Sequence, residues 1–172
     1  PDGKWFTLEF IGNKHDPYSD IGSVSADGKG QIINLTNSGY TSGSPRWVMG
    51  GNAILFITER YGMRNHASWG SMEDVFLCFV NQDAYDKYRL SKEDYELLKE
   101  LEKEQEKLKK EAEKKDDKKK EESKDITVEL KGIQDRIVRL TPTSSRLGDA
   151  IIDKKGETLY YLASFEGAMD LW

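Results

Sequence analysis

The sequence is poor in the residues and segments that mark several classes of protein. Its 172 residues include one cysteine, which excludes an internal disulfide and a cysteine-rich zinc site. No apolar run approaches the roughly 18–20 residues that a membrane helix needs. The given residues contain no secretory signal pattern, and the first of them is Pro1 in place of an initiator Met. The formal net charge of −5 argues against a general affinity for nucleic acid, which requires a basic surface.

Charged residues are concentrated in one segment. Of the 34 residues from 91 to 124, 25 are Asp, Glu or Lys, and the rest of the chain is about 23% charged, close to an ordinary globular protein. Thirteen carboxylates are interleaved with twelve lysines in this segment, so it is not a basic patch. We therefore interpret the chain as a normal globular sequence that is interrupted by a charged insertion.

No pattern for a metal ion or a cofactor is found. Asp16, Ser19 and Asp20 offer oxygen ligands, and so does Asp27 beside Gly28. A calcium loop, however, supplies several carboxylates at alternating positions followed by a distal Glu, and no such set is present. We interpret these residues as hairpin turns and expect neither a metal nor a cofactor.

Short apolar stretches with period-two alternation recur along the chain, and turns that contain Gly, Asn or Asp separate them. The pattern predicts little helix outside residues 84–124 and therefore an all-β fold. The predicted strands lie at residues 5–11, 20–25, 31–36, 45–48, 53–58, 74–80, 126–130, 136–140, 150–152 and 158–163.

One order of features occurs more than once: a Leu-Thr pair, a loop, a short strand, a Gly turn, and an apolar strand that ends near Ser or Thr. This order begins at residues 35–36 and again at residues 140–141. Residues 1–6 correspond to the part of the order that starts at the Gly turn. Without the charged insertion, the spacing is near the roughly 40–45 residues of a four-stranded propeller blade. Because both ends of the chain fall inside this repeat, we expect the chain to be a piece of a larger protein.

These residues resemble the repeat of a known family. Residues 1–5 (Pro-Asp-Gly-Lys-Trp), 45–47 (Pro-Arg-Trp) and 140–142 (Leu-Thr-Pro) are similar to the repeat of TolB-type, WD40-like β-propellers. Residues 126–142 more specifically resemble a segment in the propeller of tricorn-like serine peptidases, especially their bacterial relatives. Residues 83–94, with their helix start, point the same way, so the resemblance extends over nearly the whole chain.

The resemblance implies an all-β, partial β-propeller of two to three four-stranded antiparallel blades. Residues 1–90 would form a partial first blade and an interrupted second one, and residues 91–124 a charged helical insertion between the third and fourth strands of the middle blade. Residues 125–172 would complete the second blade and begin a third. The side chains expected to be largely buried between blades are Trp5, Trp47, Phe56, Phe76, Phe79, Leu159 and Tyr161.

The resemblance further implies a segment that steers or gates peptides towards a serine peptidase domain elsewhere in the parent chain. We expect no catalytic residue here, because neither His15 nor His66 lies near a Gly-x-Ser-x-Gly motif. The alternative is a non-enzymatic TolB-like propeller that mediates protein–protein interaction in the cell envelope. The expected partners are a peptide or protein substrate, the remaining blades and catalytic domain, and further copies bound through exposed blade faces. The compartment stays open, with a bacterial periplasm favoured over cytoplasm.

The main candidate for ligand binding is the segment of residues 59–71, which is longer than a typical hairpin loop. Arginine and aromatic side chains can hold a peptide carboxylate and stack on side chains. In the alternative interpretation, Trp69 and Met63 pack beneath the loop and Arg60 pairs with a neighbouring carboxylate. The candidate binding residues are Arg60, Arg64, His66 and Trp69.

The charged segment begins with a helical pattern. Residues 84–101 are expected to be helical, with Ser91 as an N-cap, and residues 114–124, which contain no apolar residue, to return flexibly. The apolar stripe spans barely two heptads, fewer than a coiled coil needs. This favours a solvated helix over one that dimerises through residues 91–113. Cys78 lies in an apolar strand and is expected to be buried.

Overall fold

The computed structural model describes residues 2–12, 14–64, 70–113 and 126–172. Within these ranges the chain is mostly β-strand, with two α-helices between the sixth and seventh strands. The strands are β1 (Trp5–Ile11), β2 (Ser19–Ser25), β3 (Ile33–Asn34), β4 (Ser42–Val48), β5 (Ala53–Thr58), β6 (Asp74–Phe79), β7 (Ile137–Arg139), β8 (Arg146–Ile152), β9 (Leu159–Ser164) and β10 (Asp170–Leu171); the helices are α1 (Gln82–Tyr88) and α2 (Lys92–Glu113).

The strands form three antiparallel sheets whose order follows the chain. The first sheet is β1-β2-β3, the middle sheet is β4-β5-β6-β7, and the third sheet pairs β8 with β9 and β9 with β10. The prediction of a mostly β chain built from antiparallel sheets is therefore confirmed. The two helices leave the middle sheet after its third strand, and the chain returns to supply the fourth.

The middle sheet is buried on both faces. Every residue of β5 and β6 is buried, which matches their continuous apolar sequence rather than an alternating one. Ile54, Phe56 and Phe76 belong to a cluster that includes Ile21 and Leu35 of the first sheet and the connection after it. The opposite face packs against the third sheet through a second cluster, whose members include Leu55, Val75, Leu77, Phe79 and Ala150. The three sheets are therefore stacked face to face.

A polar contact also joins the middle and third sheets at their edge strands. Arg46 on β4 forms a salt bridge with Asp149 on β8 at 2.9 Å and donates a hydrogen bond to the Ala150 carbonyl. Because both charged side chains are about half exposed, this pair adds little stability and mainly fixes the position of one sheet on the next.

The expected burial of the large apolar side chains is confirmed for Phe56, Phe76 and Phe79, which are at most 3% exposed. It is wrong for the other four, Trp5, Trp47, Leu159 and Tyr161, which are only half-buried. Trp47 lies on an edge strand, Trp5 begins β1 of the first sheet, and the other two lie in the third sheet. Within the described ranges, the middle sheet alone has a neighbouring sheet on both faces, and its central strands are therefore buried along their whole length.

The prediction of helix over residues 84–101 with Ser91 as an N-cap is confirmed as two helices, α1 before this cap and α2 after it. The amide of Leu90 donates to the Lys87 carbonyl, which ends α1 in a tight turn. Ser91 Oγ then accepts a hydrogen bond from the Asp94 amide at 3.1 Å and caps α2. The hydroxyl of a capping serine bonds to a nearby backbone amide in place of the helical hydrogen bond. The helical region therefore divides into two helices at Ser91. The expected flexible return at residues 114–124 lies outside the described residues.

The chain that returns from the insertion is held by a buried cation. Arg136 is 3% exposed and donates to three backbone carbonyls, those of Phe79, Lys131 and Glu129. These bonds attach residues 129–136 to the end of β6. Cys78 on β6 is 1% exposed, as predicted, and burial raises the pKa of its thiol to about 12, which makes it unreactive.

Candidate functional site

Asp20, at the start of β2, is the centre of a buried polar network in the first sheet. Its carboxylate is 1% exposed and accepts hydrogen bonds from Thr36 Oγ1 at 2.8 Å, from the Ser38 amide at 3.0 Å and from Asn34 Nδ2 at 2.8 Å. His15 Nδ1 lies 2.6 Å from Oδ2, the carboxylate oxygen that also accepts from Asn34. Burial alone would raise the pKa of Asp20, but these bonds outweigh burial and hold the pKa below its ordinary value.

Asp74, at the start of β6, is the centre of an equivalent network in the middle sheet. Its fully buried carboxylate accepts from Thr141 Oγ1 at 2.7 Å and from Ser144 Oγ at 2.8 Å. Arg139 Nη2 donates to the same carboxylate at 2.8 Å, in the role that His15 has at Asp20.

The two networks, called here the Asp–Thr networks, share one bonding pattern. In each, the threonine hydroxyl donates to the aspartate and accepts from the next amide along the strand, Ile21 at 3.0 Å or Val75 at 3.2 Å. The threonine belongs in both cases to the Leu-Thr pair that follows the last strand of the sheet. The same network therefore closes the same end of two successive sheets.

The loop that joins β5 to β6 lies at this end of the sheets. Glu59, which is 2% exposed, forms a salt bridge with Arg64 Nε at 3.2 Å. The Arg64 guanidinium also lies 4.9 Å from the ring centroid of Tyr18 and 5.2 Å from that of Tyr40. Arg64 is thus held between a buried carboxylate and two aromatic rings, and it ties the loop to the first sheet.

Arg60 differs from Arg64 in its contacts, although both residues are exposed. Its side chain is exposed and its guanidinium lies 5.6 Å from the ring centroid of Tyr61. Tyr61 is 59% exposed, stacks on Phe76 and has Arg139 at 5.6 Å. Within the described residues, Arg60 forms no ion pair with a carboxylate, in contrast to the pairing that the alternative interpretation proposes. Two guanidinium groups therefore flank one exposed aromatic ring.

Met63, expected in the alternative interpretation to pack beneath the loop, is 64% exposed. The candidates His66 and Trp69 lie outside the described residues. Of the four candidate binding residues, the structure thus places Arg60 and Arg64 at one end of the sheets, where both are exposed and, within the described residues, Arg64 but not Arg60 is paired with a carboxylate.

A small cavity of about 10 Å³, the size of one water molecule, opens beside Arg60 between the first and middle sheets. Its floor is apolar, with Phe56, Phe76 and Ile137. Its walls carry the hydroxyl-bearing residues Thr36, Ser38, Ser42 and Thr58. Each of these hydroxyls already donates within the protein, to the Asp20 carboxylate or to the carbonyl of Tyr40 or Thr41. Among the lining residues, the Arg60 guanidinium is therefore the group left to bind a carboxylate oxygen.

The base of the loop is closed by backbone contact. The Met72 amide donates to the Met63 carbonyl at 2.9 Å, and a Cβ on Gly62 would lie 1.7 Å from the Met72 carbonyl oxygen. Only glycine fits there. Nearby, burial and the charge of Glu59 raise the pKa of Glu73, so this end of the sheets disfavours a further negative charge at Glu73.

A larger cleft of about 1370 Å³ lies at the opposite end of the sheets, between the helices and the β4–β5 and β8–β9 turns. Its charged lining is mixed in sign, with lysines such as Lys87 and Lys99 beside glutamates such as Glu102 and Glu157. These side chains pair with one another, Lys87 with Glu102 and Lys99 with Glu157. Such mutual pairing leaves the cleft without a clear preference for a charged ligand.

Sequence reasoning identified Arg60 and Arg64 but missed the Asp–Thr networks and the two tyrosines around Arg64. The Leu-Thr pairs were part of the recognised repeat, but their aspartate partners lie 16 and 67 residues upstream. The available signal was the pairing of Asp20-Ile21 with Leu35-Thr36 and of Asp74-Val75 with Leu140-Thr141. The charged insertion lies between Asp74-Val75 and Leu140-Thr141, so the second of these pairings is difficult to recognise in the sequence.

Among the described residues, no group of three or more His, Cys, Asp or Glu side chains could hold a metal ion, and no helix there is long and apolar enough to cross a membrane. Comparison of the chain with protein-family models, with curated proteins and with solved structures gave no significant match.

Proposed function

We propose that this chain is a propeller scaffold and binding segment of a tricorn-like serine peptidase, which steers or gates peptides towards a catalytic domain outside it. The main support is the repetition of one polar network at the same end of two successive, face-to-face sheets. Such repetition is expected of a blade-like repeat that continues from sheet to sheet. The similarity of residues 126–142 to the propeller segment of these peptidases supports the specific assignment.

In this proposal the loop of residues 59–71 forms part of the peptide-binding surface. Arg60 supplies an accessible guanidinium next to the Tyr61 ring and the hydroxyl-lined cavity. Arg64 serves mainly to hold the loop through Glu59. A peptide carboxylate would pair with Arg60, while apolar side chains of the peptide would rest on the exposed ring.

The peptide-binding role is tested by fluorescence anisotropy with a pool of short labelled peptides, together with chromatography of the same mixtures. We expect saturable binding without hydrolysis. Arg60→Gln should weaken binding by roughly tenfold, the effect of one charge-assisted contact. Arg89→Gln is the matched control, because Arg89 is exposed and lies over a tyrosine ring at 5.5 Å but at the opposite end of the sheets. No binding at millimolar protein, or cleavage of the peptides by the chain itself, would contradict the proposal.

The second candidate is a TolB-like propeller that mediates protein–protein interaction without catalysis. The stacked sheets support this candidate as well, because they favour a propeller and do not by themselves indicate a catalysed reaction. The reading frame that contains this chain distinguishes the two candidates. A serine peptidase domain downstream supports the first, and a propeller that closes without such a domain supports the second.

A further inference from the structure

The two Asp–Thr networks differ in the side chain that can supply a positive charge to the aspartate. In the middle sheet Arg139 Nη2 donates to the Asp74 carboxylate at 2.8 Å. In the first sheet the same place is taken by His15, whose Nδ1 lies 2.6 Å from Asp20 Oδ2. A guanidinium group stays charged throughout the physiological pH range, whereas imidazole is the side chain that ordinarily changes charge between pH 5 and 8. The first network thus has a titratable group where the second has a permanent charge.

His15 also organises the loop that joins β1 to β2. Its amide donates to the Gly12 carbonyl at 3.1 Å, and its carbonyl accepts from the Tyr18 amide at 2.6 Å. The contact between the His15 ring and Asp20 therefore ties two consecutive turns of this loop to a carboxylate that is 1% exposed.

Tyr18 connects this loop to the loop of residues 59–71. The Tyr18 ring lies 4.9 Å from the guanidinium of Arg64, and Arg64 Nε pairs with the buried Glu59 at 3.2 Å. A cation beside an aromatic ring is held by the electrons of the ring face. The position of Tyr18 therefore affects how firmly Arg64, and with it the second loop, is held.

Within the described residues, Asp20 is the carboxylate in contact with the His15 ring. The other donors to that carboxylate carry no charge; they are Asn34, Thr36 and Ser38. The neighbours of His15 along the chain are exposed and of opposite sign; they are Lys14 and Asp16. Beyond Tyr18, the ion pair of Glu59 with Arg64 has no net charge. The pKa of Asp20 is held below its ordinary value, so Asp20 stays ionised over the range in which imidazole titrates.

We propose that the contact between His15 and Asp20 is a pH-sensitive latch, which protonation of His15 tightens and which controls the loop between β1 and β2. An ionised carboxylate only accepts hydrogen bonds, so Nδ1 carries a proton in both states of the ring. Protonation at Nε2 adds the attraction between two opposite charges, and solvent screens this attraction little because Asp20 is buried. The latch therefore persists at pH 8 and holds more tightly at pH 6.

Through Tyr18 and Arg64, the latch also makes the loop of residues 59–71 firmer at the lower pH. This second step rests on the proposed function, in which that loop binds peptides, whereas the latch itself does not. The two steps can be measured separately.

The latch is tested by amide hydrogen exchange of the intact chain, followed by NMR at pH 8 and at pH 6 and expressed as protection relative to an unfolded chain. The reporters are the amide of Ser38, which donates to Asp20, and that of Tyr18, which donates to the His15 carbonyl. We expect roughly tenfold higher protection of both at pH 6, the effect of one added charge-assisted contact. The Val75 amide, which donates to Thr141 in the other network, is the internal control and should not change.

Two variants assign the effect to His15. His15→Arg introduces the residue type that faces Asp74, so protection of the reporter amides should be high at both pH values. His15→Gln can donate a hydrogen bond but cannot ionise, so protection should be low at both. Equal protection of the natural chain at pH 8 and pH 6, or a pH dependence that remains in His15→Arg, would overturn the inference.

The link to the peptide-binding loop is tested by the peptide anisotropy titration at the same two pH values. Glu73, whose pKa is raised, is present in both the natural chain and His15→Arg, so the comparison of these two proteins isolates His15. On going from pH 8 to pH 6, the natural chain should gain more affinity than His15→Arg, by at most the factor seen in hydrogen exchange. An equal gain would refute control of the peptide-binding loop. If no peptide binds while the exchange result holds, the proposed function fails and the latch stands.

Discussion

The two buried aspartates determine how the ends of the sheets are held. Asp74 is fully buried, and Arg139, Thr141 and Ser144 surround its carboxylate with hydrogen-bond donors that compensate its burial. The same is true of Asp20 with its own set of donors. At this scale the essential property is complete pairing, since loss of one donor leaves the charge partly uncompensated.

Thr141→Val should therefore destabilise the protein by about 1–3 kcal/mol, since it removes a hydroxyl that both donates to Asp74 and accepts from the Val75 amide. Thr143→Val is the matched control, because Thr143 is exposed in the same loop. Urea denaturation followed by tryptophan fluorescence measures the difference. Equal stability of the two variants would show that the network contributes no net stability.

Glu73 should give the protein a pH dependence of opposite sign to that of Asp20. Burial and the charge of Glu59 raise the pKa of Glu73 in the folded state, so the folded state binds this proton more tightly than the unfolded state. Ionised Glu73 therefore lowers stability above its folded pKa, and this cost is relieved as the pH falls towards 4.5. The lowered pKa of Asp20 instead gives stability above pH 3.8 that is lost on further acidification.

The measurement is urea denaturation of the natural chain and of Glu73→Gln at pH 7 and at pH 4.5. Glu73→Gln should be more stabilising at pH 7 than at pH 4.5. A difference between the two proteins that does not change with pH, or that grows on acidification, would contradict the assignment.

Among the elements, the last strand of the middle sheet depends on a contact that lies far away in sequence. β7 comes after the whole charged insertion, and Arg136 fixes the chain just before it to the Phe79 carbonyl at the end of β6. Ile126 and Val128 pack on the first apolar cluster in the same segment. Docking of the returning segment thus completes the sheet.

Arg136→Lys should destabilise this docking, because a lysine ammonium cannot reproduce the planar set of donors that reaches three carbonyls. We expect a loss of about 2–3 kcal/mol in unfolding free energy. Faster hydrogen exchange should also be seen at the amides of β7. Arg146→Lys, at an exposed arginine of β8, is the control, and equal exchange in both variants would rule out the role given to Arg136.

For the whole molecule, the stack leaves one apolar face uncovered at each side. The first sheet exposes Phe6 at 62% and Ile32 at 44%. The third sheet exposes Ile151, Tyr160 and Leu162, which share a face by their strand pairing. In the proposed propeller the remaining blades cover these faces, and without such blades further copies of the chain can do so.

The chain alone should accordingly self-associate at high concentration, as sedimentation velocity would reveal. Leu162→Lys should reduce association, while Thr158→Lys, an exposed position at the end of the same strand pair, should not. Deletion of residues 91–124 should leave association unchanged, because the helical stripe is too short for a coiled coil. A clean monomer at high concentration would contradict the prediction, and a monomer produced only by the deletion would assign association to α2.

Much of the fold followed from local pattern. Period-two alternation and glycine turns predicted most of the strands, and the apolar runs of β5 and β6 are buried strands. The strand predicted over residues 126–130 is wrong, because this segment lies beside the end of β6, where the Glu129 amide donates to the Val80 carbonyl, without forming a strand. The N-cap predicted at Ser91 is the point at which the helical region divides into α1 and α2. The half-burial of Trp47 and Tyr161 depends on which sheet has two neighbours, which no local pattern contains.

The sequence by itself determined the β character, the separation of charge into one insertion, and the position of the arginine-bearing loop, because each depends on composition or on residues close together along the chain. Only the tertiary structure decided which carboxylates are buried and which of the two arginines of the loop pairs with Glu59. These depend on distances between residues up to 67 positions apart. A single sequence does not record such distances, since hydrogen bonds and burial are set by the stacking of whole sheets.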